Sequence, residues 1–591
     1  MSLKSSKSPS ITSSLTNGQV GDHKRNVGVV SAIFLIVNRL IGTGIFSTPS
    51  SIFANSGSPG LALILWAIGT LISLAGLMCY LEFGSMCMEN GGESVYISRA
   101  FPKPRFLAAS TYCIYVFLLG WAASNSIAFG QYILEAADYY TVERTPWQEQ
   151  WVQPLVGFAC LSFAFIMQAF FPRPALYLSN VLGLFKVVVI IMIIIIGWVG
   201  WGGGGGIKKT HNFDSSFDKG MNSTGYGVVS SLLNVIWSFI GYSNANYALG
   251  EANNPQRILK IAAPIALVFV AILYMLANIS YLGVVPWSTA DGSPSIINSG
   301  NILAGDFFGI VWGDRGRKAL SVFVALSALG NVLVVIYGQA RLIQQLGRQA
   351  IMPFSRLLGS SRPFGTPLPA LFEHYLFSLI LLFAPAAAGP KSRGDSYNFV
   401  ANLMTYPLSV VNGFVGLGII WINFRKSERR IGFGKHSIVL PALFPEWKPT
   451  IKATWPVALF FVLGNLYLIV APFVPPERPS ENQYATMPYW IHACVGLCLY
   501  GAGLIYWLLV FIIWPKLRGY TMETETYIDD DGWKRDKIVH KDKDGEIIDE
   551  ARWIDKTLDP LSTHFDRIEN FTNWIDEKTK IPEMKVPKFG K

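Results

Sequence analysis

Asn38-Arg39-Leu40-Ile41-Gly42-Thr43-Gly44-Ile45-Phe46-Ser47-Thr48-Pro49 lies in the middle of the first long apolar run of the chain. Two glycines and a threonine stand where a membrane-spanning helix would favour leucine. Each glycine costs a helix interior about 1 kcal/mol relative to alanine, so the cluster marks a place where the helix opens. An opening at the middle of a bilayer frees backbone N–H and C=O groups, which protein, water or a bound solute must satisfy. A second interruption, Ser238-Phe239-Ile240-Gly241-Tyr242-Ser243-Asn244, sits inside another long uncharged run. The alternative use of both clusters is close helix packing on glycine.

Around these stretches the composition is that of a membrane protein. Of 591 residues, 51% are hydrophobic and 15% are charged, against about 25% charged in soluble domains. No charge occurs from Ser58 to Leu81, and Lys186 is the only one from Ala175 to Gly206. Such windows exceed the roughly 18 apolar residues that a spanning helix needs. The expected fold is an all-α integral membrane protein of about twelve spans, at about 27–53, 60–84, 107–137, 151–171, 175–200, 225–250, 258–285, 318–340, 367–388, 397–422, 453–474 and 488–513. Short or re-entrant helices are expected near Gly305–Lys318 and Pro363–Pro369, where the boundaries are least sharp.

The net charge of +10 would suggest nucleic acid or an anionic surface in a soluble protein, but in a membrane protein its distribution sets topology. Loops on the N-terminal side carry Arg99, Lys103, Arg105, Arg341, Arg348, Arg425, Lys426 and further cations. The opposite loops carry a smaller set that includes Arg144, Lys208, Lys209, Arg317 and Lys318. Both termini are therefore expected in the cytosol. Residues 1–26 read as a disordered polar tail without the apolar core of a cleavable signal, 27–513 as the transmembrane domain and 514–591 as a charged cytosolic tail. Within that tail, Trp553-Ile554-Asp555 and Trp574-Ile575-Asp576 leave two readings open, disorder or short amphipathic helices that fold back.

Other motifs are bland. The six cysteines show no CxxC spacing and read as small packing residues, and the seven histidines form no metal-ligand spacing. No nucleophile–base constellation is visible, so an enzyme is not expected and no cofactor is called for. The glycine run 202–206 lacks the GK[ST] of a phosphate loop and reads as a linker. Asn222-Ser223-Thr224 is a glycosylation sequon close to the next span.

Spans one and six are the first helices of two five-span units, and both are interrupted near their middles. Matching interruptions point to an inverted-repeat (5+5) fold with a mid-membrane site, the last two spans being additions. Half-helix N-termini suit a carboxylate and free carbonyls suit an ammonium, so the pair of breaks fits an α-amino acid. Trp237, Phe239 and Tyr242 would surround the side chain of such a solute, or else simply pack. Neither break holds an acidic residue, which favours a neutral, apolar or thioether side chain. Lys186, alone in the fifth span, is expected to exchange protons, with snorkelling to the surface as the alternative. Glu82, Glu251 and Glu373 lie near span ends and are expected to make structural contacts.

At these residues the chain resembles the amino acid–polyamine–organocation transporters over about 30–513. Ile41-Gly42-Thr43-Gly44-Ile45-Phe46 with Pro49 is similar to the first-helix motif of that family, Gly91-Gly92-Glu93-Ser94-Val95-Tyr96 to the loop after its second helix, and Glu251-Ala252-Asn253-Asn254-Pro255-Gln256-Arg257 to the end of its sixth. Within the family it most resembles the L-type-like subgroup of the fungal high-affinity methionine permeases. The resemblance implies that the amides of Thr43 and Gly44 hold the substrate carboxylate. Carbonyls near Leu40, Ile41, Trp237 and Ile240 would hold the amine, with Gly241 in the same break. It further implies that Trp237 is an aromatic gate and that Lys186 occupies the place of a sodium ion in related carriers, so that protons drive transport. A plasma-membrane location follows from the same resemblance, as do ubiquitylation of the tail lysines Lys4, Lys7 and Lys24 and contact with the ubiquitin-ligase machinery. The loop after the third span has no cysteine, so no disulfide-linked heavy chain is expected. Phe239-Ile240-Gly241 also lacks the doubled glycine of some relatives.

The expected function is import of methionine or a similar neutral amino acid, cysteine included, coupled to protons by alternating access. An amino-acid exchanger and a non-transporting receptor remain as alternatives.

Overall fold

The computed structural model describes residues 29–549, apart from 88–91, 142, 215, 218–223, 244–254, 290–293, 298, 362–364, 388, 390–392, 427–428, 432–437, 441–442, 478–481, 485, 529–533 and 542–546. The first apolar run forms three pieces, α1 (Val29–Leu40), α2 (Gly44–Ser47) and α3 (Pro49–Ser56). Gly57 closes α3 in the left-handed conformation, and Ser58 then caps α4 (Pro59–Met86) by accepting from the Leu61 amide. Pro59 takes the first helical position, where its missing N–H has no cost. A short helix α5 (Glu93–Ala100) precedes the third span, which is itself divided into α6 (Leu107–Leu118) and α7 (Ala123–Ala136). Spans four and five are α8 (Pro146–Phe170) and α9 (Pro172–Trp201).

The second unit repeats this order. An interrupted first helix, α10 (Gly225–Phe239), is followed by α11 (Pro255–Val284) and α12 (Leu303–Arg348). Gly313, at φ 71° and ψ −166°, kinks α12 into a short leading helix and a long span. That short helix fills the stretch near Gly305–Lys318 and occupies the position in this unit that α5 has in the first. After α13 (Ser355–Leu358) come α14 (Leu368–Ala387), α15 (Arg393–Arg425), α16 (Trp455–Val470), α17 (Ile491–Trp507) and α18 (Trp514–Arg518). Among the described residues ten helices are long and apolar enough to cross a bilayer. The interrupted segments at 29–56 and from 225 bring the count to the twelve expected.

One feature departs from the sequence reading. The third span is not continuous: Leu119–Ala122 break it, because Gly120 lies so close to the backbone of Phe377 and Ser378 that a side chain there would overlap it. Among the described residues beyond α18, β3 (Thr521–Ile528) pairs antiparallel with β4 (Lys534–Lys541), and β4 with β5 (Ile547–Asp549). A small hairpin, β1 (Arg429–Ile431) with β2 (Ile438–Leu440), precedes it in the chain. The larger sheet is tied to the bundle, since Arg105 donates to the Met522 carbonyl at 3.2 Å and Ile538 packs with Trp507 and Phe511. On its exposed side the Lys541 ammonium hydrogen-bonds Glu523 at 2.5 Å and holds that carboxyl below its ordinary range. Trp553 and Trp574 lie outside the described residues.

Charged groups at the bundle ends act as ties. Glu82 is buried and accepts from Trp447 Nε1 at 2.9 Å, Asn423 Nδ2 at 3.2 Å and the Ala453 amide at 2.7 Å, joining α4 to α15 and to the approach to α16. At the other face Arg317 reaches Glu135 at 3.0 Å, Asp138 at 3.6 Å and Asp314 at 3.1 Å, which fastens α7 to the start of the long part of α12. The structural role read for Glu82 is thus observed. Replacing Glu82 by alanine leaves several buried donors without an acceptor, each at about 1–3 kcal/mol. The expected outcome is a melting temperature several degrees lower for Glu82→Ala in detergent, with a smaller fall for Glu82→Gln, read by a thermal-shift assay.

Candidate functional site at two interrupted helices

The first break runs from Ile41 to Thr43. Gly42 N–H turns back to the Leu40 carbonyl at 2.9 Å, and α2 restarts with Phe46 and Ser47 donating to the Thr43 carbonyl at 3.1 and 2.9 Å. The last carbonyls of α1, which a helix end leaves orphaned, find donors from elsewhere in the bundle. Tyr274 of α11 donates to Leu40 O at 2.8 Å, and Lys186 of α9 donates to Asn38 O at 3.2 Å. All residues from Ile36 to Ser50 are buried.

The second break begins as α10 ends at Phe239. Ile240 turns to φ −59° and ψ 128°, and Gly241 takes φ 124°. A residue with a side chain rarely adopts that conformation, and a Cβ at Gly241 would also lie 2.6 Å from Arg39 Cγ. Asn244 and the motif residues Glu251–Asn254 lie outside the described residues, as do Lys4, Lys7, Lys24 and Asn222.

The breaks meet at Gly44 and Ser238. A Cβ on Gly44 would stand 2.6 Å from Ser238 Oγ and 2.8 Å from Ser238 Cα, so glycine is what lets the two chains touch. Thr48 Oγ1 lies 3.1 Å from Ser238 Oγ, and Ser238 donates to Asn234 O at 3.0 Å. Beside this contact Thr43 donates to Asn125 Oδ1 of α7 at 3.1 Å, and its Oγ1 is 3.0 Å from the Tyr397 hydroxyl of α15. Trp237 Nε1 donates to the same hydroxyl at 3.0 Å. Asn331 of α12 donates to Asn125 Oδ1 at 3.0 Å, in space left by the missing side chain of Gly42.

Of the three aromatic residues at the second break, only Trp237 joins this group. Phe239 packs on Trp66 and Tyr274, with ring centroids 6.1 and 5.3 Å apart, and Tyr242 packs edge-on against Tyr80 at 5.8 Å. The reason is geometric, because residues two apart on a helix point to nearly opposite sides. Phe239 is therefore drawn toward α4 and α11 and away from Thr43, while Tyr242, beyond the end of α10, packs on α4. The Leu40 carbonyl, expected to face an amine, already accepts from Tyr274 and from Gly42. The Trp237 carbonyl likewise accepts from the Ile240 N–H at 3.2 Å.

Lys186 is fully buried and donates to Asn38 Oδ1 at 3.1 Å as well as to Asn38 O. Its amine thus ends inside the bundle, one turn before the first break, and does not snorkel. A cation at the C-terminal end of α1 also suits the helix dipole. Asn38 Nδ2 continues the link to Ser179 O at 2.9 Å. Glu373 differs from the end contact read for it: it lies in α14, 7% exposed, and neither carboxylate oxygen has a hydrogen-bond partner among the described residues.

Asn125, Asn331, Ser238, Tyr274 and Tyr397 were not singled out from the sequence. Asn125 and Asn331 carried a signal, as amide side chains in otherwise apolar spans. Tyr274 and Tyr397 carried none, since tyrosine is common at helix ends and in packed cores.

Comparison with known proteins agrees with this architecture. A family model described as amino acid permease matches residues 27–499. The chain is 41% identical to the high-affinity methionine permease of Saccharomyces cerevisiae over 529 residues, which cover 89% of this chain and 86% of that protein. It is 27% identical to the low-affinity methionine permease of the same yeast over 517 residues, 86% of each chain. Over 492 residues, 82% of this chain and 88% of that protein, it is 26% identical to the human b(0,+)-type amino acid transporter 1. A multi-pass membrane protein whose two interrupted helices meet at its centre, and whose sequence matches over most of its length, belongs to the amino acid permease family and is a permease, not an enzyme.

Proposed function

We propose that this permease imports methionine, or a neutral amino acid of similar size, across the plasma membrane in symport with protons. The observation that carries the reading is the contact of Gly44 with Ser238, which brings the N-terminal end of the α2–α3 half-helix against the end of α10. The amides of Thr43 and Gly44 hold the substrate carboxylate there, where a helix start offers unpaired N–H groups and a partial positive charge. Carbonyls of Ile41, Trp237 and Ile240 hold the ammonium, and Trp237 closes over the bound solute. The thioether is accommodated by apolar and aromatic walls without a counter-charge. The similarity to two yeast proteins named methionine permeases supports this choice of substrate.

Lys186 carries the coupling in this reading. Its ammonium holds the Asn38 carbonyl and amide oxygen, and so steadies the end of α1 beside the break. Loss of the proton turns two charge-assisted hydrogen bonds into weaker neutral ones, and the hold on the end of α1 loosens. In this reading the termini lie in the cytosol, and Lys4, Lys7 and Lys24 are the candidates for ubiquitylation.

Uptake of labelled methionine into proteoliposomes tests the reading. An inwardly directed proton gradient is expected to drive accumulation that methionine blocks better than other amino acids. Exchange only with preloaded amino acid would make the protein an antiporter, and binding without flux a receptor. Lys186→Ala is expected to abolish the dependence on the proton gradient, and unchanged pH dependence would remove Lys186 from the coupling step. Gly44→Val pushes Ser238 away and covers the amides, so methionine affinity is expected to fall at least about a hundredfold, consistent with a blocked carboxylate. Near-normal affinity, measured by scintillation proximity, would remove Gly44 from the site.

A further inference from the structure

We propose that Tyr397 is a positioning residue which locks the Trp237 gate to the first helix break, so that occupation of the break is transmitted to the gate. The proposal rests on the reading of Trp237 as a gate and of Thr43 and Gly44 as the carboxylate site. Its ground is a chain of hydrogen bonds that joins the two helix breaks through the Tyr397 hydroxyl. Indole N–H is a donor only, so Trp237 gives its proton to the Tyr397 oxygen across 3.0 Å. The Asn125 carbonyl oxygen is an acceptor only, so Thr43 gives its one hydroxyl proton to it across 3.1 Å. Between them, the 3.0 Å contact of Tyr397 with Thr43 must then run from Tyr397 to Thr43. Asn331 donates to Asn125 Oδ1 and fixes the amide in the orientation this chain requires.

The chain joins five separate elements around the breaks. Trp237 belongs to the second interrupted helix and Thr43 to the first, while Asn125, Asn331 and Tyr397 stand on α7, α12 and α15. Thr43, Asn125 and Tyr397 are each 1% exposed, and Trp237 and Asn331 are 9% and 5% exposed. Each hydroxyl proton is committed, so no member can turn without leaving a buried polar atom unsatisfied. A carboxylate on the Thr43 amide displaces Thr43 at one end of this chain. The displacement reaches Trp237 through one oxygen, that of Tyr397. The substrate itself does not touch that oxygen in this arrangement, so Tyr397 acts on the step between conformations and not on ground-state binding.

The test is a double-mutant cycle on the full chain in proteoliposomes, with labelled methionine as probe. Tyr397→Phe and Thr43→Val each remove one hydroxyl while keeping shape. Each is expected to lower the maximal uptake rate about tenfold with KM changed less than about threefold, and the double variant is expected to be no more than about twofold slower than either single. A Tyr397→Phe protein indistinguishable from wild type, a change confined to KM, or losses that multiply to about a hundredfold would overturn the proposal. If Tyr397→Phe does not yield folded protein, Trp237→Phe combined with Thr43→Val is measured instead. These residues do not touch each other along the chain, so non-additivity between them requires the intervening hydroxyl, and multiplying losses reject it. Wild-type protein that neither binds nor transports methionine would overturn the substrate reading itself, and is distinguishable because it precedes any variant.

Discussion

A helix opened inside a bilayer must find partners for the backbone groups it releases, and this requirement organises the centre of the molecule. Lipid offers no hydrogen bonds, and each unsatisfied group there costs several kcal/mol. At the end of α1 the partners come from two other helices, Tyr274 on α11 and Lys186 on α9. The backbone at the start of α2 lies against Ser238 near the end of α10, because Gly44 places no side chain between them.

The packing around the breaks depends on three glycines. Gly44 admits Ser238, Gly42 admits Asn331 and Gly241 admits Arg39, each where a Cβ would overlap a neighbour. Glycine therefore serves two purposes here, opening the helix and allowing close approach, and the two uses are not alternatives at these positions. Further out, Glu82 and the Arg317–Glu135 pair tie the bundle at its two faces. Both are more than surface ion pairs, because Glu82 is buried among three donors and Glu135 is largely buried beside Arg317.

The aromatic residues of the second break separate along the same geometric line. Trp237 turns toward Thr43 by way of Tyr397, whereas Phe239 and Tyr242 fill space between α10, α4 and α11. The chain after α18 likewise follows local pattern. Thr521-Met522-Glu523-Thr524-Glu525-Thr526-Tyr527-Ile528 is rich in β-favouring residues and forms β3.

The number of spans, the two interruptions and the membrane setting were legible in the sequence alone. The physical reason is that lipid forces backbone hydrogen bonds to be local, so a span must be a long apolar run and a break must show as glycine within one. Lys186 was legible for the same reason, as an unpaired charge in such a run. Tertiary structure alone decided where Lys186 ends, which aromatic residue turns to the site, and that Asn125, Asn331 and Tyr397 converge on Thr43. Those contacts join residues separated by 82 to 354 positions. No local pattern encodes a partner at that distance, and only the packing of five helices against one another brings them together.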